Sequence, residues 1–185
     1  MEERKILEKI GAVKKGHFLL TSGLHSDVYF DKFRLLQYPE YVKKFCKKIA
    51  DRFKKEKITL VVGPEKGGII IAYQVAEMLG VRCAFAEKSE DKLCFKRDFY
   101  FEEKEKILIV DDVLTTGGSI KKVIDLIKSK NWEIKGIAVL IDRSVFPLNL
   151  NMDVFSVVKV EANVYRPEDC PLCKKGLELK KLGGK

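Results

Sequence analysis

No apolar run in these 185 residues is long enough to cross a bilayer, and the opening MEERKILEKIGAVKKG mixes both charge signs without the apolar core of a secretory leader. Cysteine is sparse and odd in number, scattered over Cys46, Cys83, Cys94, Cys170 and Cys173. That excludes a disulfide framework and sets the expectation of reduced thiols in a cytoplasmic protein. Neither G-x-x-x-x-G-K-[ST] nor G-x-G-x-x-G occurs, so the ordinary triphosphate and dinucleotide cradles are excluded. Internal repeats and low-complexity tracts are absent. Acidic residues fall short of basic ones, 27 against 36, leaving a net charge of +9. Such a surplus suits a polyanionic partner. The basic residues form short clusters (KKFCKK, FKKEK, CKK, LKK) with acids among many of them, which reads as a solvated surface; nucleic acid is not expected as a partner, nor is a membrane.

What is present alternates. Residues 2–15 space Ile6, Leu7, Ile10 and Val13 like one helical face, and residues 17–31 hold two strand-like runs about the turn signal Ser22-Gly23. Pro39 opens a helix that carries Tyr41, Val42, Phe45, Cys46, Ile49, Ala50 and Phe53 at helical spacing. Strands are expected at 58–63, 81–86, 106–110, 134–142 and 153–160, with helices at 67–80 and 118–130. Residues 87–98, EKSEDKLCFKRD, lack a clean period and read as a mobile loop or a ragged hairpin. The tail after Pro167 is short and lysine-rich and reads as an appendage. The predicted class is α/β, a mainly parallel twisted sheet with helices on both faces, in a single domain over 1–185.

The stretch KILIVDDVLTTGGSI, residues 106–120, concentrates the chemistry. A buried strand delivers Asp111 and Asp112 to the carboxyl edge of the sheet, where ligands of such sheets bind. Behind them Thr115, Thr116 and Ser119 offer hydroxyls. Gly117 and Gly118 let the backbone approach a ligand, and the following helix turns unsatisfied N–H groups outward. That is a phosphate cradle. Carboxylates repel phosphate, so the ligand must bring sugar hydroxyls or a divalent cation to meet them. A ribose phosphate carrying a Mg2+-bound pyrophosphate does both. The plainer alternative is a turn with a helix cap.

These residues resemble the phosphoribosyl-diphosphate signature of the type I phosphoribosyltransferases. GHFLLTSGLHSDVYFD, VVGPEKGGIIIAYQVAEMLGV, IDRS and YRPEDCPLCKKG together are similar to the orotate phosphoribosyltransferase family over almost the whole chain. The resemblance implies that family's fold, with a small hood built from about residues 1–35 and the C-terminal tail. It also implies transfer of phosphoribosyl from 5-phospho-α-D-ribose 1-diphosphate to orotate, giving orotidine 5′-phosphate and pyrophosphate in UMP biosynthesis, with Mg2+. The signature implies that Asp111, Asp112, Val113, Leu114, Thr115, Thr116, Gly117, Gly118 and Ser119 bind the activated sugar, Asp111 and Asp112 being catalytic, and that Thr115 also meets the base. Arg143 corresponds to an arginine near the orotate carboxylate, a partner suited to a guanidinium fork. A structural ion pair, as with Asp142, is the alternative.

By the same resemblance SDVYFD is a segment whose aromatics lie on the base, with Tyr29 and Phe30 as candidates and Phe30 assigned to orotate. Adjacent strand residues face opposite sides, so one of the two is expected in the core. GPEKGG (63–68) resembles the pyrophosphate loop, in which the family often holds a cis peptide. Lys66 stands one place before the usual lysine, which Gly67 replaces. Residues 87–98 resemble the catalytic loop that closes on the neighbouring subunit of a homodimer. Lys88 and Lys92 are its pyrophosphate ligands, Lys92 the catalytic candidate, and Lys96 and Arg97 are held in reserve. Each lysine taken singly also fits a solvated hairpin. Glu87 replaces a frequent arginine, the loop has no histidine, and Thr21 replaces a substrate-binding lysine.

His17 and His25 show no metal-ligand partner at motif spacing and are expected to be structural. Cys170-Pro-Leu-Cys173 is half a zinc site with no second half visible along the chain; a site shared between subunits is the open alternative. A purine-salvage enzyme of the same superfamily and a non-catalytic regulator that keeps the sugar-phosphate site are the alternative functions.

Overall fold

A computed structural model describes residues 2–20, 22–90, 92–144, 148 and 150–182. In chain order its elements are α1 (Glu2–Lys9), β1 (Val13–Leu19), β2 (His25–Phe30), α2 (Lys32–Leu36), α3 (Pro39–Phe53), β3 (Leu60–Pro64), α4 (Gly67–Leu79), β4 (Arg82–Ser89), β5 (Lys92–Cys94), β6 (Lys106–Leu114), α5 (Gly118–Ser129), β7 (Glu133–Asp142), β8 (Val154–Lys159) and β9 (Val164–Tyr165). A 3-10 turn, Pro167–Asp169, and α6 (Pro171–Lys174) follow. The chain divides into two compact units, Tyr38–Lys159 and the pair of end segments Met1–Gln37 with Val160–Lys185.

The central unit is a six-stranded sheet in the order β5-β4-β3-β6-β7-β8, parallel throughout except for β5. Its central strands β3, β6 and β7 carry long buried runs because both faces are covered. Side chains alternate between the faces. Leu60, Val62, Ile107, Ile109, Ile137 and Val139 pack with Ile120, Val123, Ile124 and Ile127 of α5. The other face takes α3 and α4, and there Gly136 lies so close to Phe53 that a Cβ at 136 would overlap the ring.

The terminal unit is a three-stranded antiparallel sheet in the order β1-β2-β9. Its register shifts between Lys15 and Phe18. The tail lies along this sheet, with Leu19 N–H donating to Lys180 O at 3.0 Å and Lys180 N–H to His17 O at 2.8 Å.

Several boundaries differ from expectation. The helix expected over 2–15 stops at Lys9, where Ala12 N–H donates back to Leu7 O, and Val13 belongs to β1. The strand expected to end at 110 runs on to Leu114, because β7 keeps pairing with it through Leu114↔Asp142. The tail after Pro167, read as an appendage, contributes α6 and bonds to β1 through Lys180.

Candidate active site

β6 is paired on one side as far as Val62↔Ile109 with β3, whereas on the other side β7 accompanies it to Leu114. Asp111 and Asp112 therefore stand beyond the last pair of β3 with β6, where β3 stays paired with β4 alone as far as Pro64↔Ala86. Both are buried, 7 % and 3 % exposed, and Asp112 N–H donates to Asp111 Oδ1 at 2.8 Å.

The space left by β3 is filled by glycine. A Cβ at Gly67 would overlap the Asp112 carboxylate, one at Gly68 would stand 3.3 Å from Asp111 Oδ1, and one at Gly63 would strike the Gly68 carbonyl. So the 63–68 loop sets its backbone at Gly67 and Gly68 directly against the acidic pair. Within it the Glu65-Lys66 peptide is cis. In this backbone position 67 has no room for a side chain, which accounts for the glycine there.

After β6 the chain turns through Thr115 and Thr116, both exposed, into α5. Gly117 sits at φ +76°, a conformation that favours glycine, and its carbonyl accepts the first helical bond from Lys121 N–H at 2.9 Å. Gly118 and Ser119 are exposed and the first turn of α5 carries no acid of its own, so the helix does not neutralise the positive end of its dipole there. Val113 is half-buried and Leu114 buried. Arg143 follows β7, and its N–H donates to Leu114 O at 2.9 Å, which holds it beside the signature loop. The Asp142 carboxylate accepts from Ser144 N–H at 2.8 Å.

Residues 87–98 begin as a hairpin, β4 and β5 pairing through Lys88↔Leu93 and Ser89↔Lys92. Lys88 and Lys92 are exposed on it. Lys96 Nζ donates to Lys88 O at 2.5 Å, and Arg97 makes a two-pronged contact with Glu87 at 2.9 and 3.0 Å, so Glu87 and Arg97 pair within the hairpin. The hairpin is moored to the 63–68 loop twice: Lys88 N–H donates to Glu65 Oε1 at 2.8 Å, and Glu65 N–H to Ala86 O at 2.9 Å. Glu65 is a positioning residue that sequence reasoning missed. Its partners lie over twenty residues away, and only the parallel pairing of β3 with β4 brings them alongside.

In the terminal unit Phe30 is buried at 5 % exposure, while Tyr29 is half-buried and packs on Phe18 with ring centroids 5.6 Å apart. Of the two aromatic candidates, Phe30 is the core member of the pair. Thr21 lies outside the described residues.

With this geometry in place, comparison with known proteins is informative. The phosphoribosyl transferase domain profile matches residues 99–174. An orotate phosphoribosyltransferase of Caldanaerobacter subterraneus subsp. tengcongensis is 43% identical over 188 residues, covering 100% of this chain and 99% of its own. The crystal structure of orotate phosphoribosyltransferase from Aeropyrum pernix superposes with a TM-score of 0.70 at 26% identity, covering 86% of this chain and 94% of that one. An adenine phosphoribosyltransferase from Thermoanaerobacter pseudethanolicus shares the fold at a TM-score of 0.62 and 22% identity, over 72% of this chain and 88% of its own.

Proposed function

The chain belongs to the orotate phosphoribosyltransferase family, and on that premise we propose that it transfers phosphoribosyl from its 1-diphosphate to orotate, forming orotidine 5′-phosphate and pyrophosphate in UMP biosynthesis. The observation that carries this reading is the contact of Asp111 and Asp112 with the glycines of the 63–68 loop, next to the N-terminus of α5. The 5′-phosphate takes the 115–119 loop, where exposed hydroxyls and helix N–H groups converge. The ribose hydroxyls donate to the two carboxylates. The diphosphate lies along the 63–68 loop, whose Glu65 and Lys66 are exposed. Arg143, held at the edge of the same loop, takes the orotate carboxylate.

The donor set here suits Mg2+, since carboxylates, sugar hydroxyls and phosphates are all hard oxygen ligands. Mg2+ bound with the diphosphate supplies charge neutralisation for the leaving group. The protein's own residues do the rest. Buried carboxylates favour the positive charge that develops on the sugar ring, and the α5 N–H groups anchor the phosphate so that C1′ is held for attack. Orotate attacks through a ring nitrogen and needs orientation, not a nucleophilic side chain.

The assembly supported by this reading is a homodimer in the cytoplasm. Ile70 and Tyr73, three residues apart on α4, are exposed at 45% and 69%, an apolar pair that suits a second copy. No helix among the described residues is long and apolar enough to cross a membrane.

Acceptor competition tests the reading. With phosphoribosyl diphosphate and Mg2+, orotate is expected to be consumed while adenine, hypoxanthine, guanine and uracil are not. Turnover on a purine alone would transfer the assignment to base salvage, and tight sugar binding without turnover would make the chain a regulator. Asp111→Asn and Asp112→Asn are each expected to lower turnover by about a hundredfold or more with the circular dichroism unchanged.

A further inference from the structure

Away from the sugar-phosphate site, the terminal unit gathers the chain's two histidines around two of its cysteines. His17 Nε2 lies 2.9 Å from His25 Nδ1, 3.5 Å from Cys170 Sγ and 3.7 Å from Cys173 Sγ. Cys173 Sγ is 3.3 Å from His25 Nδ1, and all four donor atoms fall within 4.8 Å of one another. His17, His25 and Cys170 are buried, and Cys173 stands at the surface. We propose that these four side chains form a structural zinc site of the His2Cys2 type.

Three features support it. The first is size. Zn2+ takes nitrogen at about 2.0–2.1 Å and sulfur at about 2.3 Å in a tetrahedron, which sets nitrogen–sulfur edges of about 3.6 Å and a nitrogen–nitrogen edge of about 3.3 Å. The nitrogen–sulfur separations of 3.3, 3.5 and 3.7 Å bracket that edge, whereas the nitrogens at 2.9 Å stand too close and the widest donor pair reaches 4.8 Å, so the ion needs the two rings to part and the widest pair to close by about 1 Å. The second is the protonation pattern. His17 Nδ1 lies 2.9 Å from Leu177 O, a carbonyl that can only accept, so Nδ1 carries the proton and Nε2 presents its lone pair to the cluster. A backbone carbonyl fixing the tautomer in this way is the usual outer support of a ligating imidazole. A single hydrogen bond explains the approach of the two nitrogens but not the convergence of two sulfurs on the same point.

The third is the fold that assembles the site. The register shift between Lys15 and Phe18 comes at Gly16 and His17, and His25 lies opposite Leu19 on β2. Leu19 is two residues from His17, so both rings stand on one face of the hairpin. β9 pairs Tyr165 with His25 and leads through the 3-10 turn to Cys170 and Cys173, one helical turn apart at the start of α6. The half-site written Cys-Pro-Leu-Cys thus finds its second half about 150 residues earlier in the same chain, and no second subunit is required. Four protein ligands close the coordination sphere, which marks a structural ion and not a catalytic one. Soft thiolates and imidazoles also separate this site from the all-oxygen Mg2+ site. A unit of this size has a small core of its own, and a metal cross-link between its hairpin and its tail is the kind of staple small domains use.

The test uses full-length protein without a histidine tag, purified under reducing conditions without chelator. Elemental analysis is expected to find one zinc per chain. Apo protein titrated with Co2+ should develop the strong visible bands of a tetrahedral ion and a near-ultraviolet thiolate-to-cobalt band, both bleached by added Zn2+ and untouched by Mg2+. His25→Ala and Cys173→Ser should each lose the stoichiometric metal, and stripping the wild-type ion should lower Tm by about 5 °C or more. Metal-free protein whose reduced apo form gives no tetrahedral cobalt spectrum overturns the proposal. So does stoichiometric zinc that survives both substitutions. Should either variant fail to fold, the wild-type cobalt spectrum still decides. None of these readouts depends on orotate turnover.

Discussion

At Gly67 the Asp112 carboxylate occupies the place a side chain would take. Gly67→Ala must push either the carboxylate or the 63–68 backbone aside. Displacements of that order misplace reacting groups, so kcat/KM for phosphoribosyl diphosphate should fall by about a hundredfold. Steady-state kinetics checks this, and an alanine variant with unchanged kcat/KM would show that the close packing is not needed for catalysis. Cys46 is a second residue with a measurable signature. Its burial in α3 pushes the thiol from an ordinary 9.0 up to about 12. An unfolded chain releases that proton near 9 whereas the native one keeps it, so stability falls as pH rises through the window from 9 to 12. Chemical denaturation of wild type and Cys46→Ala across that window should show a shallower alkaline loss in the variant. Equal slopes would mean that Cys46 contributes nothing to it.

Elements reveal which parts of the site could be read from the chain. The order of strand, acidic pair, glycine loop and helix was legible because its spacing is local: Asp111 to Ser119 lie within nine consecutive positions, and periodicity marks the elements on either side. Residues 87–98 were ambiguous because their charges mask the pairing, and the hairpin is held by contacts no local pattern announces, Glu65 to Lys88 and Glu87 to Arg97. Phe95, Phe99, Phe101 and Trp132 form an aromatic cluster, with Phe101 and Trp132 centroids 4.9 Å apart, that anchors the following segment on the α5 side of the sheet. Edges of elements behave alike. Glu105, just before β6, is buried at 1 % exposure and accepts from Thr59 Oγ1, Glu102 N–H and Arg82. Glu105→Ala leaves these donors without their shared acceptor and should cost about 3 kcal/mol of stability. Urea unfolding measures it, and a loss within experimental scatter would show that water replaces the carboxylate.

At the scale of the whole molecule, the assembly reading makes a genetic prediction. Lys92→Ala and Asp112→Asn should each be poorly active alone. If the hairpin serves the neighbouring site, co-assembled subunits carrying one change each should recover activity, because one of the two sites then has both wild-type carboxylates and a wild-type lysine. Activity that stays at the level of the separate variants would place the lysine in its own subunit's site. The metal ligands were the least legible feature at this scale. Two of them are near the start of the chain and two near its end, and spacing rules search only short windows.

The pairing of the two chain ends in one unit has a bearing on biosynthesis. During translation β1 and β2 leave the ribosome long before β9 and α6 exist, at about 5–20 residues per second. The central sheet has all its strands by Lys159 and can collapse while the first hairpin waits for its partners. Emergence of β9 and α6 is therefore the event that completes the terminal unit, and a polypeptide stalled before Cys170 should present a protease-sensitive beginning attached to a resistant middle.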